Sequence, residues 1–268
     1  MTKIIAITNQ KGGVGKTTTS INLSASLVAT KQRVLLIDLD PQGNATMGSG
    51  IDKHALEKSV CDVLLEESSV ADAVVETPGG YDMLPGNGDL TVAEVRLLKE
   101  SSREQRLKKA LRALDDAYDF ILIDCPPSLN VLTLNALVAA DGVIIPMQCE
   151  YYALEGLAAL LDTIGQVQAE LNTSLQIEGI LRTMFDGRSR LVRDVAKQLI
   201  EHFGSKVYRT VIPRNIRLAE APSHGLPIIQ YDKRSQGAVA YLVLAGEILR
   251  KQSLNAESEQ PCLAENTD

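Results

Sequence analysis

The chain has no tryptophan and only three phenylalanines, and aromatic residues make up 4% of its 268 positions. A core in such a chain must be aliphatic, and an apolar content of 45% supplies it. The same scarcity leaves no aromatic platform on which the bases of a single strand would stack. The four cysteines (Cys61, Cys125, Cys149 and Cys262) are far apart and form no Cys-x-x-Cys pair. Their spacing argues against a disulfide framework or a zinc site and for a reducing, cytoplasmic setting. Cys125 and Cys149 adjoin apolar strand runs, so both are expected in the core. No apolar run reaches membrane-spanning length. The closest, Leu134 to Met147, is broken by Asp141. The N-terminus enters a strand with no signal-peptide layout. Histidine is rare too, and His224, the one near the motifs below, reads as a structural or exposed residue.

Positive charge is in deficit overall, at a net −7, which alone argues against a nucleic-acid partner. The distribution argues otherwise. Arg182 to Arg217 holds nine basic residues against three acidic ones, a local +6 that leaves −13 for the rest. Local potential, rather than total charge, governs attraction to a polyanion. Arginine, the commoner basic residue in this stretch, suits phosphate contact through its forked donors. No helix-turn-helix precedes the first strand. Any DNA binding should therefore be to backbone phosphates, independent of sequence and steeply salt-sensitive.

The chain is organised around Lys11-Gly12-Gly13-Val14-Gly15-Lys16-Thr17-Thr18. It follows the apolar run Ile4–Thr8 and opens a helical pattern near Thr17. Strand, glycine-rich turn and helix are the context of a phosphate-binding loop. The glycines leave no side chain between backbone amides and ligand, and the start of the next helix adds free N–H groups and a positive dipole end. Lys16 offers a point charge to the β- and γ-phosphates, and Thr17 a hydroxyl to Mg²⁺. The usual pattern would require glycine at position 10, where Gln10 stands, and a second lysine, Lys11, opens the loop.

Two acidic strand ends follow. Val34 to Ile37 is a continuous apolar run, as expected of a parallel strand covered on both faces, and it ends in Asp38 and Asp40. Near a Mg²⁺-nucleotide, such a pair could order the ion's water and the attacking water. Phe120 to Ile123 is a second such run, closed by Asp124, which it would deliver towards Mg²⁺. The prolines Pro126 and Pro127 keep the next helix from starting before about Ser128.

Residues 45–100 are the least legible, with turn signals between short helices (Ser59–Glu66, Asp89–Lys99) and a strand (Tyr81–Leu84). A helix is expected over Arg103–Tyr118. Beyond it, strands and helices alternate to a last helix at about Gln236–Arg250. Repeated alternation predicts a doubly wound, mostly parallel α/β sheet in a single domain over residues 1–252. Residues 253–268 carry acids and no basic residue, and are expected to form a disordered acidic tail.

The loop resembles the deviant Walker A motif of the ParA/MinD superfamily of P-loop ATPases. Asp38-Leu39-Asp40-Pro41-Gln42-Gly43-Asn44 resembles the Walker A′ motif of ParA proteins, and Asp124-Cys125-Pro126-Pro127-Ser128 the loop after the Walker B strand. Ile212-Pro213-Arg214-Asn215 and Glu220-Ala221-Pro222-Ser223 are similar to hallmarks of the chromosomal ParA (Soj) branch. The likeness runs from Lys3 to about Lys251. It implies ATP and Mg²⁺ as cofactors, with Lys11 to Thr18 on the phosphates and Pro213, Arg214 and Asn215 at the adenine. It also implies Thr17, Asp38 and Asp124 near the metal, and Asp40 with the two loop lysines in hydrolysis. In the family, Lys11 would reach across a homodimer formed on ATP binding. Arg188, Arg190 and Arg217 would contact non-specific double-stranded DNA, a ParB-type centromere-binding protein would stimulate hydrolysis, and the protein would associate with the nucleoid. A MinD-like membrane ATPase would need a basic amphipathic C-terminal helix where this chain has an acidic tail. An iron–sulfur relative would need interface cysteines, and a bacterial tyrosine kinase a terminal tyrosine cluster. A non-enzymatic, nucleotide-gated scaffold would follow if Asp40 were not catalytic.

Overall fold

The computed structural model describes residues 2–114 and 116–259. Eight strands form one sheet: β1 (Lys3–Ile7), β2 (Val34–Asp38), β3 (Val75–Glu76), β4 (Asp82–Leu84), β5 (Phe120–Asp124), β6 (Gly142–Gln148), β7 (Gln176–Phe185) and β8 (Val207–Pro213). Their order across the sheet is β3-β4-β2-β5-β1-β6-β7-β8. Every pair is parallel except the edge hairpin of β3 with β4. The helices are α1 (Lys16–Ala29), α2 (Asn44–Gly48), α3 (Val60–Leu64), α4 (Val70–Ala73), α5 (Leu90–Leu97), α6 (Arg106–Leu111), α7 (Val131–Ala139), α8 (Ala153–Glu170), α9 (Arg190–Phe203), α10 (Ile216–Glu220), α11 (Ile228–Tyr231) and α12 (Gln236–Glu259).

The unbroken apolar runs of the central strands divide between two cores by the two-residue period of a strand. Ala6, Leu35, Ile37, Ile121, Ile123, Val143 and Ile145 pack on one face with residues from α3 to α9. Ile5, Ile7, Val34, Leu36, Phe120, Leu122 and Ile144 pack on the other with α1, α2 and α10 to α12. Both faces are covered, so alternation of polar with apolar residues is missing from these strands. The parallel register brings Ile7, Asp38 and Asp124 level at one end of the sheet. Ligands are held at that carboxyl end in folds of this class.

The doubly wound, mostly parallel sheet is as expected. Cys125 and Cys149 are buried, as expected, together with Cys61, while Cys262 lies outside the described residues. Two local expectations need correction. The helix expected over Arg103–Tyr118 breaks into two 3₁₀ turns flanking α6. Leu107 and Leu111 of α6 are buried in the core with Ala110 packed against it, and the Asn135 side chain accepts from Leu107 N and donates to Arg103 O. Pro213 is the last residue of β8. The expected tail from residue 253 starts too early, because α12 runs on to Glu259; residues 260–268 lie outside the described residues.

Candidate nucleotide-binding site

The glycine loop joins β1 to α1. Gly15 caps the helix in the left-handed region (φ 87°) and offers no side-chain cap, so the first amides of this 14-residue helix stay available to a ligand. Asn9 anchors the loop's start. Its side chain donates to Pro146 O at 2.8 Å and accepts from Lys11 N at 2.9 Å. Lys16 is 7% exposed and donates to Lys11 O at 3.3 Å. Burial lowers the pKa of its ammonium, against the opposing pull of Asp124 and Asp40.

Asp124 lies wholly buried below the loop. Thr17 Oγ1 donates to its Oδ2, and Ser20 Oγ to its Oδ1, both at 2.8 Å. Burial raises its pKa, and the two hydroxyl donors pull the other way. The Thr17 hydroxyl and the Asp124 carboxylate are hard oxygen donors beside the loop. That donor set suits magnesium, which takes one or two protein ligands and completes its shell with water and phosphate oxygens. Bound there, the ion would neutralise charge on the terminal phosphates.

The two carboxylates after β2 part company. Asp40 is 8% exposed and lines the cleft above the loop, with Oδ1 accepting from Gln42 N at 2.9 Å. Asp38 is fully buried and is not brought to the cleft wall. Its Oδ2 accepts from Thr46 N and Thr46 Oγ1, both at 2.8 Å, and its Oδ1 from Asp40 N at 3.1 Å. Thr46 Oγ1 accepts in turn from Gly86 N at 2.9 Å. Burial, and the neighbouring Asp124, push the Asp38 carboxyl up to about 8. As it stands, Asp38 braces the loop that carries Asp40. A Cβ on Gly86 would lie 2.3 Å from Asp38 O. Gly86→Ala is therefore expected to lower stability by about 1–3 kcal/mol, read as a fall in melting temperature.

The cleft has a volume of about 850 Å³. It is lined by Gly12, Gly13, Gly15 and Lys16 to Thr18, and by Pro213, Arg214 and Asn215. Sequence reasoning had assigned both groups. It had assigned no role to Gln42, Asn44, Thr183, Met184, Ile216, Leu218 and Tyr241, which also line the cleft. Thr183 and Met184 end a parallel strand, and that position alone could have nominated them. Tyr241 carries no such signal: it comes from α12, where its hydroxyl meets Thr19 Oγ1 at 3.1 Å.

Three expected residue sets lie apart from the cleft wall or in prior engagements. Lys11 is exposed and forms an ion pair with Glu150. Arg188 is forked onto Asp186, Nε to Oδ1 at 2.9 Å and Nη2 to Oδ2 at 2.8 Å, and holds that carboxyl down at about 2. Arg190 lies 3.7 Å from Asp194, and Arg217 donates to Glu220 at 2.8 Å. His224 is exposed, with its ring stacked 4.9 Å from that of Tyr231. Among the described residues no helix is long and apolar enough to cross a membrane.

A family model described as an AAA domain matches residues 2–177. The chain is 57% identical over 249 residues to the sporulation initiation inhibitor protein Soj of Bacillus subtilis, covering 92% of this chain and 98% of that one. It is 50% identical over 253 residues to the chromosome partitioning protein ParA of Caulobacter vibrioides, covering 93% and 95%. Among solved structures, cobyrinic acid a,c-diamide synthase of Mycobacterium smegmatis with bound ADP and magnesium superposes with a TM-score of 0.85. It is 42% identical, with 95% of this chain and 97% of that chain covered. With a deviant glycine loop at the head of α1, acidic strand ends beside it and this degree of identity, the chain belongs to the ParA/MinD superfamily of P-loop ATPases, within the chromosomal ParA (Soj) branch.

Proposed function

We propose that the protein is a partitioning ATPase of chromosomes or plasmids, in which bound ATP and Mg²⁺ switch a homodimer onto DNA. The observation that carries this reading is one cleft of about 850 Å³ lined both by the lysine-bearing loop with Asp40 and by Pro213 to Asn215. That volume and mixed lining suit a nucleoside triphosphate, with the base at the proline and the phosphates at the loop. Loop amides and Lys16 hold the phosphates, Thr17 and Asp124 hold the ion, and Asp40 positions and deprotonates the attacking water. The surroundings of Lys11 suit a part played in a second protomer. Its partner in the free chain, Glu150, is exposed, so the pair is weak and exchangeable. In the closed dimer, Lys11 leaves Glu150 for the other protomer's phosphates.

Arg188, Arg190 and Arg217 are then the contacts to DNA phosphates. In the free chain each faces a carboxylate, and the Arg188 and Arg217 pairs must open before phosphate can be bound. One protomer carries few such contacts, and joining two basic patches multiplies them. A ParB-type partner accelerates hydrolysis and with it release, and the protein works in the cytoplasm on the nucleoid.

The test is binding to non-specific duplex DNA with ATP, ADP or no nucleotide, across a salt series. ATP alone should promote binding, with log affinity falling linearly against log salt. Asp186→Asn should bind about two- to fivefold more tightly at low salt, because Arg188 is released to phosphate. If no nucleotide promotes binding at low salt, the DNA-switch reading fails.

A further inference from the structure

Thr183 and Met184 are consecutive residues of a strand, yet both line the cleft. In a regular strand they would point to opposite faces. The register shows how they avoid this. Arg182 pairs with Val211 and Phe185 with Pro213, so two residues of β7 oppose Ile212 alone. This is a β-bulge, a device that re-aims side chains beside active sites. At the bulge, Met184 has φ 47°, a left-handed conformation that disfavours every residue with a Cβ. Five non-glycine residues among those described have positive φ, and the other four (Lys31, Glu66, Ser102 and Asp116) lie outside strands and α-helices. Backbone strain of this kind persists where the surroundings impose it, and it clusters at ligand sites.

The bulge touches both the glycine loop and the strand that ends at Pro213. The Thr183 hydroxyl, buried with its residue, donates to Val14 O in the glycine loop at 2.7 Å, across 169 positions of chain. Its Cβ and Cγ2 lie 3.8 Å from where a side chain on Gly15 would begin. The next residue, Met184, faces the cleft along with Ile212 and Pro213 of the neighbouring strand. A thioether side chain there offers soft, polarizable contact to the face or edge of a heteroaromatic ring.

We propose that the β7 bulge sets the distance between the two halves of the nucleotide site. Thr183 is a positioning residue that holds the phosphate loop through the Val14 carbonyl, and Met184 is the wall against the base. This rests on the nucleotide reading above, and it assigns the two halves of one ligand to two adjacent residues.

Separate ligands report on the separate halves. Affinities for MgATP and for magnesium tripolyphosphate, which lacks base and sugar, are measured on the native protein, Thr183→Val, Thr183→Ser and Met184→Gly. Thr183→Val should weaken both ligands alike, by about tenfold, because the loop loses its tie. Thr183→Ser keeps the donor and should restore both to within about twofold of native. Met184→Gly should weaken ATP by about fivefold and leave tripolyphosphate unchanged. Glycine accepts the left-handed backbone, so this variant keeps its fold and carries the test even if the valine variant does not. Native affinity for both ligands in Thr183→Val, or equal weakening of both in Met184→Gly, overturns the assignment. A native protein that binds neither ligand overturns the nucleotide reading itself and this inference with it.

Discussion

Lys16→Ala is expected to cut ATP turnover at least about 100-fold, the scale set by removing one preorganised charge from a phosphoryl-transfer site. The same substitution should leave the melting temperature of the nucleotide-free protein close to native. The two expectations come from one observation. Lys16 is 7% exposed, and its ammonium donates to the carbonyl of Lys11 at the long distance of 3.3 Å. Burial lowers its pKa despite Asp124 and Asp40 nearby. A desolvated charge so thinly compensated contributes little to folding, and removing it relieves a cost. What opposes that gain is the carboxylate of Asp124, which loses a cation but keeps the hydroxyl donors Thr17 and Ser20. Lys16 is thus only partly compensated by the chain's own groups. ATP-promoted DNA binding should vanish with turnover. A Lys16→Ala protein hydrolysing within tenfold of native would remove the glycine loop from the chemistry.

The glycine-loop part of the site was legible because its signals are local. Loop glycines, Lys16 and the acidic strand ends are each fixed by a strand of known direction and a short turn, so Gly12, Gly13, Gly15 to Thr18 and Asp40 come to one cleft, with Asp124 hydrogen-bonded to Thr17 beside it. The fold was legible for the same reason, since covered parallel strands announce themselves as unbroken apolar runs. What stayed hidden depends on contacts between distant segments. Nothing in the spacing of Asp38 and Asp40 shows that Thr46 and the turn at Gly86 engage the first and leave the second at the cleft. Alternation in β7 predicts one inward residue where the bulge supplies two. The ion pairs of Lys11 with Glu150 and of Arg217 with Glu220 arise from side-chain reach that motif matching does not register.

The separation of Asp38 from Asp40 gives the second large effect. Asp40→Ala should lower turnover by about 100- to 10,000-fold, the usual range for a general base, with ATP affinity and melting temperature near native. Its side chain makes one local bond, to Gln42 N, and the turn it sits in is also closed by the backbone bond from Gly43 N to Asp40 O at 2.8 Å. Losing the carboxylate therefore leaves the turn standing. Asp38→Ala should do the reverse. It strips acceptors from Thr46 N, Thr46 Oγ1 and Asp40 N at a fully buried position, so melting temperature falls, with stability lower by about 1–3 kcal/mol or more. Its effect on turnover should follow from the displaced Asp40 loop and be smaller than that of Asp40→Ala. The pair of variants, compared for turnover, ATP affinity and thermal stability, decides which carboxylate is chemical. An Asp40→Ala protein that binds ATP without hydrolysing it should also stay on DNA, since the switch then lacks its off-step. If it instead hydrolyses near the native rate, the base is another group, and the scaffold reading, in which nucleotide gates assembly without Asp40 chemistry, becomes the stronger one.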